Sequence, residues 1–435
     1  MIRLPGIKVL TQIYESANSL VYRGLREQDN QPVILKRLQG DYPLPTELIR
    51  CQQEYDIIRH LNREGVEGIV KAYALQNYQN TLVMVLEDFG GESLKILQEK
   101  QPFTLSQFLL LVIQITEILS KVHHLNIIHK DINPSNIVFN PQTGQVKLID
   151  FGISTVLSRE NPSLKNPNVL EGTLAYMSPE QTGRMNRSLD YRSDFYSIGV
   201  TFYELLAKQL PFETTDALEL VHCHIAKQPV PPQEVNPEIP KAVSEIVMKL
   251  LAKTAEERYQ SAWGIKADLE ECLNQFQKSG KIAEFPLGSQ DISDKFQIPQ
   301  KLYGREQDVE TLLAAFERVA GRRDIKALSR EEEENIPPSP LPGVSTSSFS
   351  TPRSPTEMML VAGYCGIGKS ALVHEIYKPI TQNYGYFISG KFDQFQRHIP
   401  YSAVIQAFRE LVQQLLTESE EQLQQWRETL LTALG

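Results

Sequence analysis

Apolar and polar positions alternate along residues 7–40. "IKVLTQIY", "LVYRGL" and "QPVILKRL" each carry the period of two that predicts a strand. Over 46–62, "TELIRCQQEYDIIRHLN", the period lengthens to that of a helix, and Thr46 after Pro45 reads as its cap. "GIVKAYALQ" and "TLVMVLEDF" return to the strand pattern, so the first 90 residues predict a strand-rich lobe with one helix. From Leu105 the pattern turns helical. "LSQFLLLVIQITEILSKVHHLN" is apolar on most of its faces, which predicts a buried helix. Gln114, Thr116 and Glu117 break its most apolar run, leaving it too short and too polar for a membrane span. Further helices are predicted at 193–208, 215–227, 239–252 and 262–276.

The periodicity fades over 276–300, a connector rich in Gly, Pro and polar residues. A second module is expected over 301–435, opening with "LYGREQDVETLLAAFERV". Residues 321–356 interrupt it with an acidic run, prolines and serines. Such a segment buries too little apolar surface to offset its ordering entropy, and disorder is expected there. The 435-residue length fits two to four domains. A hydrophobic share of 41% and a charged share of 22% place the chain among soluble globular proteins. The net charge of −9 argues against general nucleic-acid binding, which needs clustered Lys and Arg. Cys51, Cys223, Cys272 and Cys365 lie far apart, so reduced thiols are expected rather than a disulfide framework or zinc site. "MIRLPGIKVL" lacks the features of a signal peptide, and a cytoplasmic location with no membrane partner is expected.

Two motifs carry the chemistry of the first module: "IIHKDINPSNIVFN" and, shortly after, "VKLIDFGIS". Together they resemble the catalytic and metal-binding loops of eukaryotic-type Ser/Thr protein kinases. The resemblance implies that Asp131 accepts the proton of a substrate hydroxyl, and that Asn136 and Asp150 hold Mg2+ on ATP. Lys36 of "VILK" matches the lysine on the phosphates, and Glu54 the helix glutamate that positions it, with Glu47 as the rival. "GTLAYMSPEQ" resembles the end of an activation segment, and Asp194 in "SDFYSIGVTFYELL" the aspartate that holds the catalytic-loop backbone. Arg258 matches the arginine that pairs with Glu180. His129 is expected to be a packed histidine with no catalytic role. The resemblance covers residues 7–275 and implies the α+β bilobal protein-kinase fold, with protein substrates.

Three departures mark this chain. In "YESANSLVYRG", aligned on Val21, the glycine places of the phosphate-covering loop fall on Tyr14, Ser16 and Ser19. Ser16 and Ser19 remain small and able to bond phosphate oxygens, with Asn18 tolerant of a turn. Lys130 stands for the family's arginine, keeping the charge without the bidentate fork, which weakens the case for dependence on activation-segment phosphate. Candidate phosphate acceptors there are Thr155, Ser158 and Ser163, whereas Thr173 matches a structural threonine. Asn133 stands for a lysine that contacts the transferred phosphoryl group, with Lys130 as a candidate substitute. These departures keep a second reading open, a pseudokinase scaffold that binds nucleotide without efficient transfer. A small-molecule kinase is the third reading, opposed by the protein-substrate motifs.

"GYCGIGKS" has the G-x-x-x-x-G-K-S pattern, with Gly363, Gly368, Lys369 and Ser370. It follows the apolar run "MMLVAG" and precedes a helix candidate, the strand–loop–helix context of a P-loop. Backbone N–H groups would cradle ATP phosphates, Lys369 would reach them, and Ser370 would bind Mg2+. With "LYGREQDVETLLAAF" it resembles the start of an AAA-like ATPase, a partial α/β P-loop NTPase domain. Asp393 does not read as the metal-facing aspartate of a later strand, and truncation before Gly435 is the expectation. The order of modules resembles large cyanobacterial sensor proteins, in which GAF and histidine-kinase modules follow in a longer chain.

Overall fold

The computed structural model describes residues 4–16, 19–40, 42–156, 172–182, 189–214, 216–292, 304–320, 358–362, 369–374, 387–390 and 401–415, with 424, 426–429 and 431–432. The chain divides into two units, residues 1–297 with 413–435, and residues 298–412. The 321–356 insertion, and Asn18, Ser158, Ser163, Gly363, Cys365, Gly368 and Asp393, lie outside the described residues.

Five antiparallel strands open the first unit: β1 (Ile7–Glu15), β2 (Ser19–Arg26), β3 (Gln31–Leu38), β4 (Ala72–Tyr78) and β5 (Thr81–Glu87). Their order in the sheet is β1-β2-β3-β5-β4. The period of two sorts their side chains between two cores. Val33, Leu35, Val83 and Val85 pack on one face with Tyr22 and Ile7. Met84 and Leu86 pack on the other with Tyr55, Ile58 and Leu61 of helix α1 (Pro45–Arg63). Helix α1 does not start on a Thr46 cap: Leu44 is the N-cap and Pro45 takes the first helical position. Proline has no N–H to leave unpaired there. The Glu47 carboxylate instead accepts the Leu44 N–H at 2.7 Å.

The second lobe is helical around a short sheet. Strand β6 (Glu92–Ser93) pairs with β8 (Ile137–Asn140), which pairs with β9 (Gln145–Leu148), while β7 (Ile127–Ile128) pairs with β10 (Thr155–Val156). Helix α2 (Leu94–Lys100) precedes α3 (Leu105–His124), which starts on a Thr104–Gln107 capping box. By length and composition α3 is apolar enough to cross a membrane, contrary to expectation. Its buried face, from Phe108 to Val122, forms the centre of the lobe's core. Helix α4 (Arg192–Ala207) is buried along nearly its whole length. Helices α5 (Ala217–Ala226), α6 (Pro232–Val235), α7 (Lys241–Leu250) and α8 (Ala262–Ser279) complete it. Helix α7 starts two residues later than expected, because Pro240 serves as its N-cap. The described cysteines, Cys51, Cys223 and Cys272, are buried free thiols.

The first half of the segment expected to be a connector is packed. Ile282, Phe285 and Leu287 lie against the main core. Asp291 reaches back to the start of α8, accepting the backbone N–H groups of Gln260 at 2.7 Å and Ser261 at 2.9 Å, and the Ser261 hydroxyl at 2.8 Å. A Cβ on Gly264 would lie 2.4 Å from an Asp291 carboxylate oxygen, so the close approach requires glycine.

The second unit contributes α9 (Glu306–Ala320), α10 (Lys369–His374) and most of α11 (Ser402–Leu415). The apolar run over 358–362 was expected to be a strand, but it carries no ladder among the described residues, and Met358 and Leu360 are exposed. A parallel-sheet strand needs paired neighbours on its edges and cover on its faces.

Candidate active site

Alternation along β3 decides where Lys36 goes. With Val33 and Leu35 in the outer core, Ile34 and Lys36 face α1. Lys36 stands opposite Met84 on one side and Val21 on the other, so Val21 shares its face. Helix α1 presents Glu54, only 4% exposed, to the lysine. The Lys36 ammonium donates to both Glu54 oxygens at 2.8 and 2.9 Å and to Asp150 Oδ1 at 3.0 Å. Glu54, not Glu47, is therefore the glutamate bonded to Lys36, since Glu47 caps the helix.

Burial disfavours the Lys36 ammonium, but Asp150 and Glu54 outweigh it and raise its pKa, so the cation is retained. Burial pushes the Glu54 carboxyl up, opposed by Lys36. For Asp150, burial is outweighed by Lys36, and its pKa is lowered. One cation thus holds two carboxylates, a cluster assembled from both lobes.

The loop 129–136 is hung from α4. Asp194 is fully buried; one oxygen accepts the Lys130 N–H at 2.8 Å, the other the His129 N–H at 2.9 Å and lies 2.7 Å from His123 Nε2. Burial opposes ionisation of Asp194, but the His123 bond and positive surroundings lower its pKa. His129 is packed, as expected: Nδ1 accepts the Asp131 N–H at 3.3 Å, Nε2 meets the Ile149 carbonyl at 3.1 Å, and the ring lies against Phe151. Lys130 and Asp150 both have left-handed backbones, φ 70° and 65°, uncommon outside glycine.

The Asp131 carboxylate is held from three directions. Oδ2 accepts Asn136 Nδ2 at 3.1 Å; Oδ1 accepts Asn133 Nδ2 at 3.2 Å and the Thr173 N–H at 2.9 Å. The Asn136 amide nitrogen also bonds the Asp131 carbonyl at 2.9 Å. The Lys130 ammonium donates to the Thr155 hydroxyl on β10. Gln181, which sequence reasoning passed over, donates to the Lys130 carbonyl at 2.8 Å. Its only sequence signal is its place beside Glu180. Glu180 itself is paired with Arg258 at 2.7 and 2.9 Å, as the sequence led us to expect.

Ser16 and Ser19 close the β1–β2 turn on each other. Ser16 N–H donates to the Ser19 carbonyl at 2.9 Å, the Ser19 N–H to Ser16 Oγ at 3.1 Å, and the two hydroxyls lie 3.1 Å apart. The serines thus bond each other where β1 leads to β2. In the second unit, Lys369 and Ser370 open α10, and the loop before them lies outside the described residues. Among the described residues, no cluster of three His, Cys, Asp or Glu side chains suits a metal ion.

The protein kinase domain family matches residues 8–273, and the AAA ATPase domain family matches residues 346–435. Hybrid signal transduction histidine kinase G of Dictyostelium discoideum is 29% identical over 418 residues, 76% of this chain and 11% of that protein. A probable serine/threonine-protein kinase of Clostridium perfringens is 30% identical over 265 residues, 60% of this chain and 38% of its own. Serine/threonine-protein kinase PknB of Mycobacterium tuberculosis is 28% identical over 270 residues, 60% of this chain and 43% of its own. The chain spans less than half the length of each of these relatives. With its two-lobed fold, and with Lys36, Glu54 and Asp150 joined beneath a five-stranded sheet, the chain belongs to the protein kinase domain family, as a Ser/Thr protein kinase domain followed by an AAA ATPase module.

Proposed function

We propose that Asp131 is the catalytic base, orienting a Ser or Thr hydroxyl of a protein substrate for in-line attack on the γ-phosphate of ATP. The observation that carries this reading is the bonded Lys36–Glu54–Asp150 cluster, which joins both lobes through one cation. Lys36 positions the α- and β-phosphates, and Glu54 orients Lys36. Val21, on the Lys36 face, covers the nucleotide, with the Ser16–Ser19 hairpin as the cap over its phosphates. Asn136 and Asp150 would hold Mg2+. Their chemistry fits, because the Asn136 nitrogen is committed to Asp131, and the Asn136 oxygen and the Asp150 carboxylate, whose pKa is lowered, are the hard donors that Mg2+ takes. When bound, the ion neutralises charge on the phosphates. In the second module, Gly363, Gly368, Lys369 and Ser370 form an ATP and Mg2+ site.

We place the kinase domain over 7–275, the connection over 276–300 and the AAA-like module, with its 321–356 insertion, over 301–435. The histidine-kinase relatives support a signalling role, with sensor modules as partners in a longer protein; the cytoplasmic location rests on the sequence alone. Phosphoamino-acid analysis after incubation with ATP and a basic acceptor protein tests the reading. Phosphoserine or phosphothreonine is expected. Bound ATP with no phosphoamino acid would instead make the domain a nucleotide-binding scaffold.

A further inference from the structure

We propose that Asn133 is a positioning residue for phosphoryl transfer, which ties the Asp131 carboxylate to Thr173 so that orienting the base and ordering the end of the activation segment are one event. The proposal rests on the role given to Asp131 above. Asn133 is 4% exposed, and both ends of its amide are used. Its oxygen accepts the Ser135 N–H at 2.9 Å, fixing the local turn. Its nitrogen lies 3.2 Å from Asp131 Oδ1, 3.2 Å from the Asp131 carbonyl and 3.3 Å from the Thr173 hydroxyl.

Thr173 closes the triangle through its own N–H, 2.9 Å from the same Asp131 oxygen. That approach depends on Gly172. Its φ of 114° lies outside the usual range of other residues, and a Cβ there would sit 3.2 Å from the Lys130 carbonyl. The result is a carboxylate held by neutral donors on both oxygens, with the Asn133 amide as the bridge between two segments 40 residues apart. The residue that looked like a missing cation in the sequence is here a two-ended hydrogen-bond clamp. Held in this way, Asp131 is oriented by neutral donors among the described residues.

Asn133→Asp separates this role from a merely structural one. The new carboxylate is isosteric and keeps the acceptor for Ser135, but loses the donor to Asp131 and Thr173. In the full chain, with ATP and a basic acceptor protein, kcat should fall on the order of 10²-fold, with KM for ATP unchanged. Thr173→Val in the Asn133→Asp background should add little to that fall, since both act through one contact. Hydrogen exchange provides a readout independent of activity: the Thr173 amide should exchange at least about tenfold faster in Asn133→Asp. Wild-type kcat in Asn133→Asp, losses that multiply in the double variant, or an unchanged Thr173 amide would each overturn the proposal. A wild-type chain that transfers no phosphate would overturn the reading of Asp131, and the exchange measurement would still decide the Asn133 link.

Discussion

Arg258→Ala is the sharpest perturbation of the kinase core. Arg258 is 1% exposed, and all five of its N–H groups have partners. Nε donates to the Ala252 carbonyl at 2.8 Å. Nη1 donates to Glu180 at 2.7 Å and to the Arg192 carbonyl at 2.9 Å; Nη2 donates to Glu180 at 2.9 Å and to the Lys253 carbonyl at 3.3 Å. Truncation strands Glu180 in the interior with the Ser193 hydroxyl, at 2.8 Å, and its own backbone N–H as neutral compensation. Breaking one side of such a buried pair costs roughly 3–5 kcal/mol.

The titration of Glu180 gives a second route to the magnitude. Burial raises its pKa, but Arg258 outweighs burial and depresses it from 4.5 to about 2, which corresponds to roughly 3 kcal/mol. Because the folded value is the lower one, this stabilisation is present above about pH 4.5 and is lost as pH falls through about 2. Thermal unfolding of the full chain at pH 7 should show the first unit melting roughly 6–15 °C lower in Arg258→Ala. The gap between variant and wild type should close as the pH drops below about 4.5. An unchanged melting temperature at pH 7, or a gap that widens in acid, would refute the reasoning.

Lys36→Met removes the cation that joins Glu54 to Asp150. Phosphate transfer should fall at least about 10²-fold, the size of losing one preorganised electrostatic contact, as read by initial rates at saturating ATP. Asp291→Ala should lower stability by roughly 1–2 kcal/mol, the range for losing a side-chain cap on a helix start, measured by urea unfolding. Gly264→Ala should do the same, because it drives a Cβ into Asp291.

Much of the site was legible because kinase chemistry fixes local spacings. Asp131 and Asn136 sit on one loop, Asp150 follows one hairpin later, and Lys36 falls on the inward face of an alternating strand. Glu47 and Glu54 share a helical face, seven residues apart, and Glu54 could be chosen because it stands in "EYDIIRHL", whose Tyr55, Ile58 and Leu61 pack the helix against the lobe. What the sequence hid were contacts between distant segments. Nothing near Asn133 announces Thr173, and nothing in 280–292 announces that Asp291 reaches the start of α8. Without periodicity, that segment looks like a connector, although Phe285 and Leu287 bury against the core. Thr46 misled because Pro45 permits the helix to begin one residue earlier, at Pro45 with Leu44 as its cap. Ser16 and Ser19 looked like substitutes for phosphate-binding backbone, and their first partners are each other.

Phosphate transfer from γ-labelled ATP with magnesium, to the chain itself and to a basic protein, tests the central claim most directly. The account predicts labelled serine or threonine from the wild-type chain and a loss on the order of 10²–10⁴-fold in Asp131→Asn. Equal labelling by wild type and Asp131→Asn, or no labelling by a chain that still binds ATP, would contradict it.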